Sequence, residues 1–130
     1  MKLKFNKKGQ AGMTLIEITL VIAVLLGLIS VLFIGVAAYK KGSDRAKCIL
    51  NISTMQKAVR SYQNLNELDE GDALASTLLI GAGLMFEATP VCSAGGAYGF
   101  AGVVPATNTP YLTCSLAGSD NHAPTTTDGW

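Results

Sequence analysis

Gly12-Met13-Thr14-Leu15-Ile16-Glu17-Ile18-Thr19-Leu20 opens an almost unbroken apolar run that extends to Val36. At ~1.5 Å per residue, residues 13–36 predict a helix of about 36 Å, enough to cross a hydrocarbon core of ~30 Å. Glu17 is the one acid inside the run. Insertion scales charge an acidic side chain roughly 2.5 to 3.5 kcal/mol at the centre of such a helix and less near an end. Glu17 therefore works against membrane insertion, although its closeness to Met13 lets it stay wet at the interface. A secretory signal peptide is the competing assignment. Its apolar region should be about 7 to 15 residues long, free of acids and followed by a small-residue cut site. Val36-Ala37-Ala38 is the one faint candidate for that site.

Upstream of the run lies a short basic leader with Lys2, Lys4, Lys7 and Lys8. A basic leader, then Gly12, then an apolar run carrying Glu17, resembles the N-terminal segment of prepilins, the precursors of type IV pilins and type II secretion pseudopilins. The resemblance is specific over residues 7–39. It implies that a membrane-embedded prepilin peptidase cuts between Gly12 and Met13 on the cytoplasmic side and methylates the new amino group of Met13. The family most often places phenylalanine first after the cut, and Met13 departs from this. Independently of the family, a freed α-amine would add to the partial positive charge of a helix N-terminus, and Glu17 is placed to neutralise it. Packing such helices side by side would bury amine and carboxylate together, where losing one partner costs several kcal/mol.

Downstream, Gly42-Ser43-Asp44 has the residue types to cap a new helix but need not interrupt an existing one. Cys48, Ile52, Met55, Val59 and Tyr62 then recur at helical spacing as one apolar stripe. Arg45, Lys47, Asn51, Ser53, Lys57, Arg60 and Ser61 cover the other faces, the pattern of an amphipathic helix lying on a small domain. The run 64–72 is acidic and turn-rich and reads as a solvated loop. Residues 73–86 predict a short helix that docks through Leu74, Leu78, Leu79 and Met85, with Gly81 and Gly83 against it. Residues 97–104 and 111–116 predict two strands of a hairpin. The expected class is α+β, with a long N-terminal spine packed on a small C-terminal domain that holds a short antiparallel sheet. Its parts are a cleaved leader (1–12), a spine helix (13–64, membrane-spanning over 13–36) and a pilin-like globular domain (65–130).

Composition narrows the function further. Ten basic residues oppose nine acidic ones, and the four leader lysines leave six against nine, a mature charge of −3. Nothing basic remains to suggest direct nucleic-acid binding. Lys40, Lys41, Arg45 and Lys47 balance the leader lysines across the apolar run, so the positive-inside rule does not fix orientation. The family resemblance places the N-terminus in the cytoplasm and the C-terminal domain in the periplasm or outside, an oxidising compartment that suits its cysteines.

No catalytic motif is legible. His122, the single histidine, lies in a polar tail and reads as a surface residue. The three cysteines lack CxxC spacing, so zinc, iron–sulfur and thioredoxin-like assignments lack their signature. There is no P-loop or dinucleotide fingerprint, and Gly95 and Gly96 read as turn residues. Cys92-Ser93-Ala94-Gly95-Gly96-Ala97-Tyr98, with Thr113-Cys114-Ser115, resembles a cysteine-bracketed pattern of small pseudopilin-like proteins. An odd cysteine count forces a choice of pairing. Cys92, just before the first strand, and Cys114, in the second, belong to one hairpin and are the expected disulfide, leaving Cys48 as a small hydrophobe in the stripe. A bridge from Cys48 to either partner is geometrically open. No cofactor is expected, with one candidate to weigh: some major pseudopilins bind calcium in a C-terminal loop, and Asp120, Asn121 and Asp128 supply oxygen ligands of that type.

The chain is accordingly expected to be non-catalytic: a structural subunit of a type IV pilus or a type II secretion pseudopilus. It would meet the prepilin peptidase, the lipid bilayer before assembly, the inner-membrane assembly machinery, and copies of itself and related pilins in the filament. The alternative is a membrane-anchored monomeric binding module, in which the same helix is only an anchor.

Overall fold

The computed structural model describes residues 12–130. The expected leader, apart from Gly12, lies outside them. One long helix, α1 (Leu15–Asn66), is followed by a 3-10 turn (Ser76–Leu78) and two short strands, β1 (Tyr98–Phe100) and β2 (Leu112–Cys114). The chain divides at Ala38 and Tyr39 into two compact units, and α1 contributes residues to both.

In the first unit α1 is apolar and exposed. Leu15, Ile16, Val31, Phe33 and Ile34 each keep two thirds or more of their surface. α1 is long and apolar enough there to cross a membrane. The helix continues without a break through Gly42, Ser43 and Asp44.

In the second unit the expected stripe is the inner face of α1. Cys48, Ile52, Met55 and Val59 are buried, and Tyr62 packs at the margin of the same cluster. Leu74, Leu79, Val104, Tyr111, Leu112, Cys92 and Cys114 complete this core. α1 outlasts the expected loop start at Asn64. The Leu68 N–H donates back to the Gln63 carbonyl (3.0 Å), and Glu67 takes a positive φ of 52°. These are features of a Schellman ending, in which the residue past the helix adopts the left-handed conformation and the next one, here Leu68, meets the core.

β1 and β2 pair antiparallel, Tyr98 with Cys114 and Phe100 with Leu112, inside the expected hairpin. Ser115 N–H to the Ala97 carbonyl (2.9 Å) and Ala101 N–H to the Tyr111 carbonyl (2.9 Å) extend the ladder at both ends. The burial alternation of β2, with Leu112 and Cys114 inward and Thr113 outward, is the period-2 signature of a half-buried strand.

Residues 73–86 correct the sequence expectation. Instead of a docking helix they form a single 3-10 turn, and the chain then reverses through Gly83 at φ +79°. Phe86 N–H donates to the Leu79 carbonyl (3.0 Å) and Gly81 N–H to the Phe86 carbonyl (2.8 Å), closing the loop. Leu74 and Leu79 are buried as expected, whereas Leu78 and Met85 are exposed.

One polar side chain fixes the long connection between the strands. Gln56, on the buried face of α1, accepts the Tyr111 N–H at Oε1 (2.8 Å) and donates Nε2 to the Thr109 carbonyl (3.2 Å). Tyr111 in turn donates its hydroxyl to the Leu74 carbonyl (2.7 Å) and meets Phe100 edge to face. Gln56→Leu keeps the size but leaves a buried N–H unpaired, so it is expected to lower unfolding stability by about 2 kcal/mol. Chemical denaturation of the full chain in detergent checks this; an unchanged midpoint would show that solvent reaches the Tyr111 N–H.

Candidate functional site

Two groups of residues carry chemistry, one in each unit. The first is the start of α1. Thr14 N–H donates to Glu17 Oε2 (3.0 Å), while Glu17 N–H donates to Thr14 Oγ1 (3.3 Å). This reciprocal pair is a capping box: the hydroxyl takes one orphan helix N–H and the carboxylate takes another. The signal, threonine three residues before glutamate at the head of an apolar run, was present in the sequence, but an acid in that setting draws attention to its charge first. Gly12 and Met13 precede the box and are exposed. The Glu17 carboxylate is thus already engaged within its own helix, with capacity for a further donor.

The second group is a cluster of three thiols and an imidazole. α1 supplies Cys48 from its inner stripe, the loop before β1 supplies Cys92, the end of β2 supplies Cys114, and the turn after β2 supplies His122. Their ligand atoms all lie within 4.8 Å of one another, and all four residues are buried. Cys92 Sγ is 3.4 Å from His122 Nδ1. The structure forms no disulfide; all three thiols are free. Cys92 and Cys114 do come together, as expected, but Cys48 joins them instead of packing alone. His122 is 2% exposed, which corrects its assignment as a surface residue.

Local backbone explains how a polar tail delivers a buried histidine. Asn121 adopts φ 55°, a left-handed conformation that asparagine tolerates better than most residues. The chain there turns back so that the Asp120 and His122 N–H groups both donate to the Leu116 carbonyl (3.0 and 3.2 Å). Asn121 therefore acts through its backbone. Asp120, Asn121 and Asp128 are exposed, and among the described residues neither Asp120 nor Asp128 belongs to a group of three or more His, Cys, Asp or Glu. Asp120 accepts the Ser119 hydroxyl (3.3 Å).

The thiols differ in their surroundings. Burial pushes the Cys48 thiol up to about 12; the Tyr98 hydroxyl, which donates to its sulfur (3.3 Å), opposes this, and the neighbouring thiols add to it. Cys92 is held down at about 7. Burial raises it, but hydrogen bonds from the Ala94 and Gly96 backbone, with His122 and Cys48, outweigh that effect. Tyr98 is itself fixed, accepting Asn51 Nδ2 at 3.1 Å, and its own acidity is suppressed by burial and by the Cys48 contact.

No protein-family model, curated protein or solved structure matches the chain.

Glycine is needed beside the cluster for space. A Cβ on Gly96 would lie 2.9 Å from Cys114 Sγ and about 3.0 Å from Leu116 Cγ. Gly96→Ala is expected to displace the Cys114 sulfur and to cost about 1 to 3 kcal/mol of unfolding stability. Gly95→Asn, at φ +84° with no neighbour within 4 Å, is expected to cost less. Thermal melts of both variants test the order; a larger loss for Gly95→Asn would reverse the assignment.

Proposed function

We propose that the chain is a non-catalytic filament subunit of the type IV pilin or type II secretion pseudopilin kind. It is made as a precursor, cut between Gly12 and Met13 by a prepilin peptidase, methylated on Met13, and polymerised through the first half of α1. Before assembly that half sits in the inner membrane, N-terminus cytoplasmic, with the domain on the periplasmic or outer side. The observation that carries this proposal is an exposed apolar helix that begins directly after Gly12, Met13 and Thr14 and holds Glu17 in its first turn. A helix with that surface needs lipid or other helices around it.

The capping box sharpens the role of Glu17. Both partners lie after Gly12, so the box does not depend on the leader. The same carboxylate that caps its own helix can accept the freed Met13 amine of a neighbouring subunit. Capping is then a local stabiliser, and charge pairing between subunits sets their register.

Two substitutions separate these roles. Glu17→Gln keeps a capping side chain but removes the charge, whereas Glu17→Val removes both. Both are expected to insert in the membrane, and both are expected to lose assembly, because an unpaired buried amine costs about 3 kcal/mol or more, over a hundredfold per contact. Negative-stain imaging of overexpressed material reads assembly. Fibres from Glu17→Gln at the wild-type level would reduce Glu17 to a cap, and wild-type protein without fibres would leave a monomeric anchored module. Intact mass of the mature protein is expected to start at methylated Met13; a start near Ala38 would identify a signal peptide instead.

A further inference from the structure

We propose that Cys48, Cys92, Cys114 and His122 form a structural zinc site of the Cys3His type. Three thiols and one imidazole are a complete ligand set for tetrahedral Zn2+, and this donor combination favours zinc over harder cations. Zn–S bonds of about 2.3 Å and Zn–N bonds of about 2.0 Å place donor atoms roughly 3.5 to 3.8 Å apart in a tetrahedron. The 3.4 Å from Cys92 Sγ to His122 Nδ1 lies within about 0.1 Å of such an edge, and no pair of ligand atoms exceeds 4.8 Å.

Arrangement around the sulfurs supports a metal over a disulfide. Any one disulfide would use two thiols and strand the third with the imidazole beside it. The cluster also has an outer contact that orients a metal ligand: the Tyr98 hydroxyl on Cys48 Sγ, itself held by Asn51. All four residues are buried, so the site is closed and has no open position for a substrate, which makes the metal structural. Its four ligands come from α1, the loop before β1, β2 and the turn after it. Bound zinc would staple the helix to three later segments of a small core. The site stands whether or not the chain polymerises.

The test uses the full chain in detergent. Purified without added metal, it is expected to carry about one zinc per chain by elemental analysis, with three reactive thiols once the metal is removed under denaturing conditions. Co2+ titrated into reduced, chelator-stripped protein is expected to give the visible bands of tetrahedral thiolate-bound cobalt, saturating at one equivalent and displaced by Zn2+. His122→Cys keeps four ligands and makes all of them thiolates, so it should bind with stronger charge-transfer absorption. Tyr98→Phe should weaken binding about 10-fold. Zinc-free protein with two of the cysteines disulfide-linked would overturn the proposal, as would fully reduced wild-type protein that develops no cobalt spectrum.

Discussion

Residues 67–130 contain very little regular structure to hold them, and the buried face of α1 compensates for that. Two three-residue strands and one 3-10 turn leave most of the backbone after Asn66 outside any helix or sheet. Buried backbone polar groups still require partners. α1 supplies one by side chain, Gln56 to the buried Tyr111 N–H, and it also ties down exposed or half-buried loop carbonyls: Gln56 reaches Thr109, Asn51 reaches Val91, and Arg60 reaches Ala106 and Trp130. The apolar stripe between Cys48 and Val59 gives the loops a surface, and these polar residues fix where they lie on it.

This division explains what the sequence disclosed. The stripe was legible because helical periodicity is a property of one segment and survives without any knowledge of partners. The hairpin was legible in the same way, from β-prone runs separated by turn residues. Residues 73–86 were misread because Leu74, Leu78 and Leu79 imitate a helical spacing, while the decisive event is a reversal at Gly83. Gln56 gave no signal, since one glutamine on a helix looks like solvent-facing polarity until Tyr111 arrives.

The thiol and imidazole cluster marks the limit most sharply. Spacing rules find metal sites whose ligands sit in pairs on one turn, and here every ligand stands alone on a different segment. His122 looked exposed because its neighbours in sequence are polar. Its burial follows from a single left-handed residue, Asn121, which no hydropathy pattern registers. By contrast, the capping box at Thr14 and Glu17 was local and available, and was obscured only by the more conspicuous question of a charge in an apolar run.

The distance along the chain between Arg60 and its partner Trp130, 70 residues, also sets a timetable. During synthesis at ~5–20 residues per second, α1 leaves the ribosome several seconds or more before the last segment that covers it. Throughout that interval Cys48, Ile52, Met55 and Val59 form an uncovered apolar strip carrying a nucleophilic sulfur. Contacts this remote in sequence also slow folding, because the loop must close before any of them can form. The nascent chain is therefore most exposed to aggregation and to mispairing of its thiols in the window between completion of the helix and arrival of Trp130.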